Sequence, residues 1–291
     1  MGGNLTVVIP VYNREVELQR CLDSIAAQTV RPAQVIVVDD GSTDNTAQIA
    51  REHPLTPLVF NGPHLGAPAA RNLGLEKVIT EWTMFFDSDD TMEPDHIAAA
   101  CAAIGPDTDI IGWNVRLVLP DGQARILPFE PTDTVWHNIM HGTLATQRYI
   151  ARTEFFRRAG GWNPTVRVWN DIELGARLLK LKPHIVKIKG IRVNQYRTAE
   201  SITGTSWTAN LDKYSGTFAA FEETLDDHEK EYISLKKTIL AADIAREAHK
   251  ANYPRPSLPF NYPHTLKYRF AYRYRLMGGR GVARVMRWLF R

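Results

Sequence analysis

Residues 7–46 read VVIPVYNREVELQRCLDSIAAQTVRPAQVIVVDDGSTDNT. The first five are a compact, β-branched apolar run that ends at Tyr12-Asn13, and Leu5–Val11 is expected to be a strand. Leu18, Cys21, Leu22 and Ile25 then recur at i, i+3, i+4 and i+7, which predicts a helix from about Glu15 to Gln28. Val35–Val38 is a second strand running into Asp39-Asp40-Gly41-Ser42, and Ser42 or Thr43 is expected to N-cap a helix reaching about His53.

The alternation continues outward. A strand at Leu58–Phe60, a helix from about Ala67 to Val78 and a strand at Trp82–Phe86 follow, the last stopping at Asp87-Ser88-Asp89-Asp90. Strands covered on both faces read as unbroken apolar runs, and β-α-β-α order predicts a parallel sheet flanked by helices. The fold class is therefore α/β, an open, doubly wound, mostly parallel sheet. Val115–Leu119 and Ala124–Pro128 flank Asp121-Gly122, a hairpin signal. A helix follows Asn170-Asp171, and Leu211 to Ala251 reads as helical throughout until Pro254, Pro256, Pro259 and Pro263.

Composition narrows the class. With 291 residues, 44% hydrophobic and only Cys 2, the chain excludes a disulfide framework and low-complexity disorder. Cys21 and Cys101 read as buried free thiols. No apolar window reaches a membrane span, and the N-terminus enters a strand without a basic leader, so a cytoplasmic location is expected.

The net charge of +3 hides an asymmetry. Residues 248–291 carry ten Lys+Arg and no Asp or Glu, leaving 25 Lys+Arg against 32 Asp+Glu upstream, a net of −7. That shift places a boundary between 200 and 210.

In open α/β sheets ligands sit outside the carboxyl ends of the strands. Three such ends carry polar clusters here: Tyr12-Asn13, Asp39–Ser42 and Asp87–Asp90. Carboxylates just past a strand are hard oxygen ligands for magnesium or manganese, with substrate phosphates completing the shell. An EF-hand is excluded, because position six from Asp87 is Met92 and position twelve is Ala98. Taken singly, D-x-D also suits a solvated turn, and Asp39–Asp44 suits a plain strand–turn–helix. Neither G-x-G-x-x-G after the first strand nor G-x-x-x-x-G-K-[ST] occurs, which removes the usual dinucleotide and P-loop sites.

Together the segments resemble a family. VVIPVYNREVELQRCLDSI (7–25), QVIVVDDGSTDNT (34–46), GAPAARNLGL (66–75), MFFDSDDTMEPD (84–95), RRAGGWN (157–163), NDIELGARL (170–178) and YRTAESIT (196–203) are similar, in order and spacing, to inverting family 2 glycosyltransferases of the GT-A fold. The resemblance covers about two thirds of the chain. It implies a catalytic domain over 1–204, with a nucleotide-binding half to about 113 and an acceptor half from 114. A helical, basic region over 205–291 completes the chain.

It also implies roles. Pro10, Tyr12 and Glu15 would line the base pocket, and Asp40 would accept a hydrogen bond from the base, as uracil N3–H offers. Arg71, with Asn72 beside it, would face the donor diphosphate. Asp87 would hold the ribose or the ion, Asp89 would ligate a divalent cation (Mn2+ or Mg2+), and Asp90 would cap the next helix. Asp171, just ahead of a helix that carries Arg177, would be the catalytic base, with Glu173 as its substitute. Trp169 would touch the acceptor and Trp162 would be core.

Three departures stand out. Asn170 occupies a position usually Glu, and no His precedes Ser201 after Arg197. The absence of Q-x-x-R-W disfavours a processive polysaccharide synthase.

The implied function is transfer of a sugar from a nucleoside diphosphate donor, a UDP-sugar, to a glycan or lipid-linked acceptor in envelope polysaccharide synthesis. The alternatives are a nucleotidyltransferase, or a non-catalytic nucleotide-binding scaffold. The tail, 267–291, interleaves cations with aromatics, and Arg280, Arg284, Arg287 and Arg291 share one helical face opposite Val282, Val285, Met286 and Leu289. Such a helix suits either an anionic membrane, at the inner face of the cytoplasmic membrane, or packing on its own domain. The acidic body argues against nucleic acid.

Overall fold

The computed structural model describes residues 3–62, 64–130, 135–197, 207, 210–282 and 286. Strand β1 (Gly3–Val11) is its axis. Alternate side chains enter different apolar layers: Leu5, Val7, Ile9 and Val11 join one cluster and Val8 the other. In β2 (Pro32–Asp39), Val35 and Val37 likewise oppose Ile36 and Val38. This is the period of two that a pleated strand imposes when both faces are covered.

β1 pairs in parallel with β2 and with β4 (Trp82–Phe85), and β2 pairs in parallel with β3 (Leu58–Asn61). Beyond β4 the sheet becomes mixed. β8 (Tyr149–Arg152) runs antiparallel to both β4 and β6 (Ile110–Val118), while β9 (Ile185–Tyr196) is parallel to β6. β5 (Thr91–Met92) closes against β9, and β7 (Ala124–Leu127) returns from β6 as the expected hairpin. The nine-stranded order is β3-β2-β1-β4-β8-β6-β9-β5, with β7 branching from β6. Only β5, β7 and β8 oppose the majority direction.

One face of the sheet is covered by α1 (Glu15–Ala26), α2 (Thr46–Glu52) and α4 (His96–Ala102), and α1 buries Leu18, Cys21, Leu22 and Ile25 as its spacing requires. The other carries α3 (Ala67–Glu76), α5 (Val135–His141), α6 (Thr153–Arg158) and α7 (Asn170–Lys180). Gly74 lets α3 lie close on β1, since a Cβ there would stand 2.3 Å from Val8 Cγ1. Helices α8 (Leu211–Thr224) and α9 (Asp227–Lys250) put Tyr214, Phe218, Phe221, Ile233, Leu240 and Ile244 into this same cluster. Helix α10 (Leu266–Leu276) packs on α9 through Tyr268 and Ala271. Cys21 and Cys101 are free, the first buried as expected and the second only partly so, at the edge of α4. Among the described residues no helix is long and apolar enough to cross a membrane.

Several expectations are corrected. The helix expected over Leu211–Ala251 breaks at Leu225, which is extended (φ −94°, ψ 145°). There Asp226 and Glu229 form a capping box, each side chain accepting the other's backbone N–H. Ser42 and Thr43 cap nothing, because Asn13 engages both of them and α2 begins only at Thr46. Asp90 does not cap α4, which starts six residues later; its carboxylate accepts Tyr196 N–H from β9. Val282 and Met286 are buried beside Trp136 and Leu235, so at these two positions the tail packs on its own chain. Arg284, Val285, Arg287, Trp288, Leu289, Phe290 and Arg291 lie outside the described residues, as do Thr198, Ala199, Glu200 and Ser201.

Candidate active site

The carboxyl ends of β1, β2 and β4 meet at one crevice, and the first two are stitched together by hydrogen bonds. Asn13 N donates to Ser42 Oγ (2.9 Å), Thr43 N to Asn13 Oδ1 (2.8 Å) and Arg14 N to Thr46 Oγ1 (2.9 Å). Glu15 accepts Asn45 N–H at 3.2 Å. Of the three residues expected at the base pocket, Pro10 is buried within β1, Glu15 is partly exposed and Tyr12 stands 45% exposed. The Tyr12 ring lies 5.0 Å from that of His64, tilted 50°. His64 Nδ1 in turn sits 2.6 Å from the Asp40 carbonyl. Sequence reasoning missed His64, since a lone histidine in an irregular loop carries no periodic signal.

Asp40 is 5% exposed, and its carboxylate accepts Leu65 N–H (3.2 Å) and Gly66 N–H (2.7 Å). It thereby fixes the loop that starts α3, where Gly66 takes φ +91°, a conformation glycine adopts without strain.

Helix α3 then delivers Arg71, 5% exposed and 4.3 Å above the Trp162 ring. Its guanidinium donates to Asp87 Oδ1 (2.6 Å) and to Asn170 Oδ1 (3.2 Å), joining the loop after β4 to the start of α7. The other oxygen of Asp87 accepts from Gln147 Nε2. Asn72 is committed elsewhere: its amide exchanges hydrogen bonds with the Trp162 backbone, 2.7 and 2.8 Å, and fastens the Gly160-Gly161-Trp162 turn. Trp162 is core, as expected, with Phe85 edge-on at 5.2 Å.

Asp87, Asp89 and Asp90 each present an oxygen within 4.8 Å of the others. Burial, with the charge of Asp87, pushes Asp89 up to about 6. Asp90 is pushed well above the carboxylate range by burial, and its Oδ2 is buried without a partner. Crowded hard oxygens and an orphaned buried acceptor are a donor set that a divalent cation fits. Asp87 and Asp89 are its accessible members.

At the start of α7, Trp169 adopts a left-handed conformation (φ 55°, ψ 30°) and turns Asp171 into the first helical turn. Asp171 accepts Ile172 N–H at 2.9 Å. Burial raises its pKa, against the opposing pull of that N–H and of Arg71. Glu173 differs: it is 1% exposed and both oxygens are held by Arg177, at 2.7 Å each. Arg177 also donates to Gly161 O at 2.7 Å. The substitute base is thus locked in an ion pair, and Asp171 is the carboxylate left open to the crevice. Trp169 rests against Tyr214 (5.1 Å) and Phe218 (6.0 Å) of α8.

Comparisons with known proteins bear on the family and the fold. The sequence profile described as Glycosyl transferase family 2 matches residues 6–162. Over 102 residues the chain is 41% identical to Glycosyltransferase GlyA of Streptococcus pneumoniae, an alignment covering 33% of this chain and 14% of GlyA. It is also 41% identical over 105 residues to the succinoglycan biosynthesis protein ExoW of Rhizobium meliloti, covering 34% and 33%. The aligned stretch thus spans a third or less of either relative. In fold, S. aureus TarS 1-349 in complex with UDP-GlcNAc superposes with a TM-score of 0.62 at 18% identity, over 98% of this chain and 91% of TarS. That likeness establishes the GT-A-type α/β architecture.

Proposed function

The chain belongs to the family 2 glycosyltransferases, and from that premise we propose that it moves a sugar, with inversion, from a UDP-sugar to a hydroxyl of a glycan or lipid-linked acceptor. The observation that carries the reading is the bridge through Arg71, which ties Asp87 to Asn170 and so holds the acidic loop and Asp171 in one crevice.

In this reaction Asp171 accepts the acceptor hydroxyl proton as the oxygen attacks the anomeric carbon, and the bond to the diphosphate breaks on the opposite face. Arg71 offers its guanidinium to the phosphates. A divalent cation, Mn2+ or Mg2+, held by Asp89 and Asp87 would supply the positive charge that stabilises the departing diphosphate. Tyr12 and His64 offer ring faces to the base, with Pro10, Glu15 and Asp40 shaping the loops behind them. Trp169 borders the acceptor. The UDP-GlcNAc complex of TarS supports the donor, and the name of ExoW supports a polysaccharide product.

The reading also puts the enzyme against the inner face of the cytoplasmic membrane. Leu266, Phe270 and Met277 of α10 and its end are 85%, 51% and 81% exposed, with Arg269 and Arg273 beside them, and no acidic residue follows Glu247. Co-sedimentation with anionic vesicles, lost in Phe270→Glu, tests that placement.

The function itself is tested by incubating the protein with Mn2+ and a panel of nucleotide sugars. Release of nucleoside diphosphate is expected and is abolished by Asp89→Ala. Release of pyrophosphate instead would turn the assignment to nucleotidyl transfer.

A further inference from the structure

Two cations that feel Asp171, the buried Arg148 and the partly buried Lys236, form no ion pair among the described residues. Arg148 ends a short 3-10 turn (Thr146–Arg148) ahead of β8 and is only 9% exposed. Among the described residues its guanidinium makes no hydrogen bond or ion pair, although it feels the charge of Asp171. The other arginines of this crevice behave differently: Arg71 is paired with Asp87 and Arg177 with Glu173. The turn is held rigidly, because Gln147 donates to Asp87 while its carbonyl accepts Trp113 Nε1–H at 2.8 Å.

The second cation arrives from a different element. Lys236 of α9 reaches back toward the start of α7, where its Nζ donates to Ile139 O (2.7 Å) and lies 4.7 Å above the Trp169 ring. It feels both Asp171 and Asp243 and forms no ion pair among the described residues, and burial pulls its pKa down to about 8. The two helices that Lys236 touches are joined to each other, since Asn138 of α5 donates to Ile172 O of α7 at 2.8 Å.

A buried, unpaired guanidinium is expensive, and chains retain one where a ligand supplies the missing anion. Asp171 is not that partner, for it carries no salt bridge to either cation and its own pKa stays raised. Lys236 stands among α5, α7 and α9, and Arg148 on the turn before β8, next to the Gln147 that holds Asp87; neither lies at the base slot of Tyr12 and His64.

We infer that the acceptor carries a phosphate or carboxylate close to its reactive hydroxyl, and that Arg148 and Lys236 receive that anion and so present the hydroxyl to Asp171. The inference rests on the glycosyltransferase reading and adds the chemical class of its acceptor. An arginine fork and a lysine point charge, approaching from two sides, suit a tetrahedral or planar oxyanion better than a neutral sugar.

The test titrates the protein, saturated with UDP and Mn2+, with glucose 6-phosphate, glucuronate and glucose as probes. The charged probes are expected to bind at least tenfold more tightly than glucose, with a preference that weakens as salt rises. Arg148→Met and Lys236→Met should each remove most of that preference while UDP affinity holds. Should one variant fail to fold, the other and the salt dependence of the unaltered protein still decide the matter.

Equal binding of the three probes overturns the inference. So does a loss of UDP affinity in both variants, which would assign the cations to the donor diphosphate. A preference for UDP-glucuronate over UDP-glucose that vanishes in the variants would also overturn it, moving the anion to the donor sugar. If UDP with Mn2+ does not bind the unaltered protein at all, the glycosyltransferase reading has failed instead.

Discussion

Asp171 and Glu173 stand two residues apart on α7, and exchanging each for its amide separates catalysis from stability. In Asp171→Asn the retained Oδ1 still accepts Ile172 N–H, and the charge removed is one that burial already disfavours, as the raised pKa of Asp171 records. Its melting temperature should therefore stay within about 2 °C of the parent, an effect under ~1 kcal/mol. Loss of a positioned base should lower kcat by roughly 10²–10⁴, or about 3–5 kcal/mol of barrier.

Glu173→Gln does the reverse. It neutralises the 1%-exposed partner of a bidentate pair whose arginine, Arg177, is 19% exposed, and leaves that charge with backbone carbonyls alone. Breaking a buried pair in this way costs about 3–5 kcal/mol, so the melting temperature should fall by roughly 6–10 °C at about 2 °C per kcal/mol. At a temperature where that variant is still folded, its turnover should remain within a few-fold of the parent. Nucleoside diphosphate release and differential scanning calorimetry measure the two quantities on the same samples. The reasoning is refuted if Asp171→Asn keeps more than a tenth of the activity. It is equally refuted if Glu173→Gln loses a hundredfold in rate with an unchanged melting temperature.

Other outcomes follow from the same structure. Gly74→Ala places a methyl 2.3 Å from Val8 Cγ1 on the central strand, so overpacking of about 1–3 kcal/mol should outweigh the gain of up to ~1 kcal/mol in helix propensity and lower the melting temperature. Lys236 binds its proton less tightly folded than unfolded, so between about 8 and 10.5 the unfolded chain holds more protons and stability should rise with pH, a slope that Lys236→Met removes. Over the same interval the affinity for a phosphorylated acceptor probe should fall as pH climbs past about 8, because the ammonium that faces Asp171 and Asp243 is lost while Arg148, at about 10, stays charged longer. A chain shortened to residues 1–204 should fail to melt cooperatively by calorimetry, because α8 and α9 supply part of the main apolar cluster.

Much of the fold was legible because its signals are local. The run at 7–11, the i, i+3, i+4, i+7 set of α1 and the Asp121-Gly122 hairpin each act within a dozen residues, and each element formed where its pattern fell. What failed was capping. Ser42 looked like a cap from its neighbours alone, yet Asn13, 29 residues away, takes its hydroxyl. Asp90 likewise spends its carboxylate on Tyr196, 106 residues on. A side-chain acceptor is claimed by whichever N–H tertiary structure brings to it, and sequence proximity does not decide that competition.

The same distinction explains the site. Asp87 and Asp89 were visible at a strand end and Asp171 through the family resemblance, whereas Arg148 and Lys236 sit in an irregular turn and midway along a long helix. Their meaning lies in what they lack, and a missing partner can be seen only once the fold has assigned every other carboxylate. The charge asymmetry between body and tail suggested a boundary between 200 and 210, and charge reports the surface while saying little about the core. Beneath the surface, Tyr214 and Phe218 of α8 brace Trp169 and Lys236 of α9 lies over its ring, so the C-terminal helices wall in the start of α7. Substrate choice in this chain should therefore vary with residues of α9 that no nucleotide-binding motif contains.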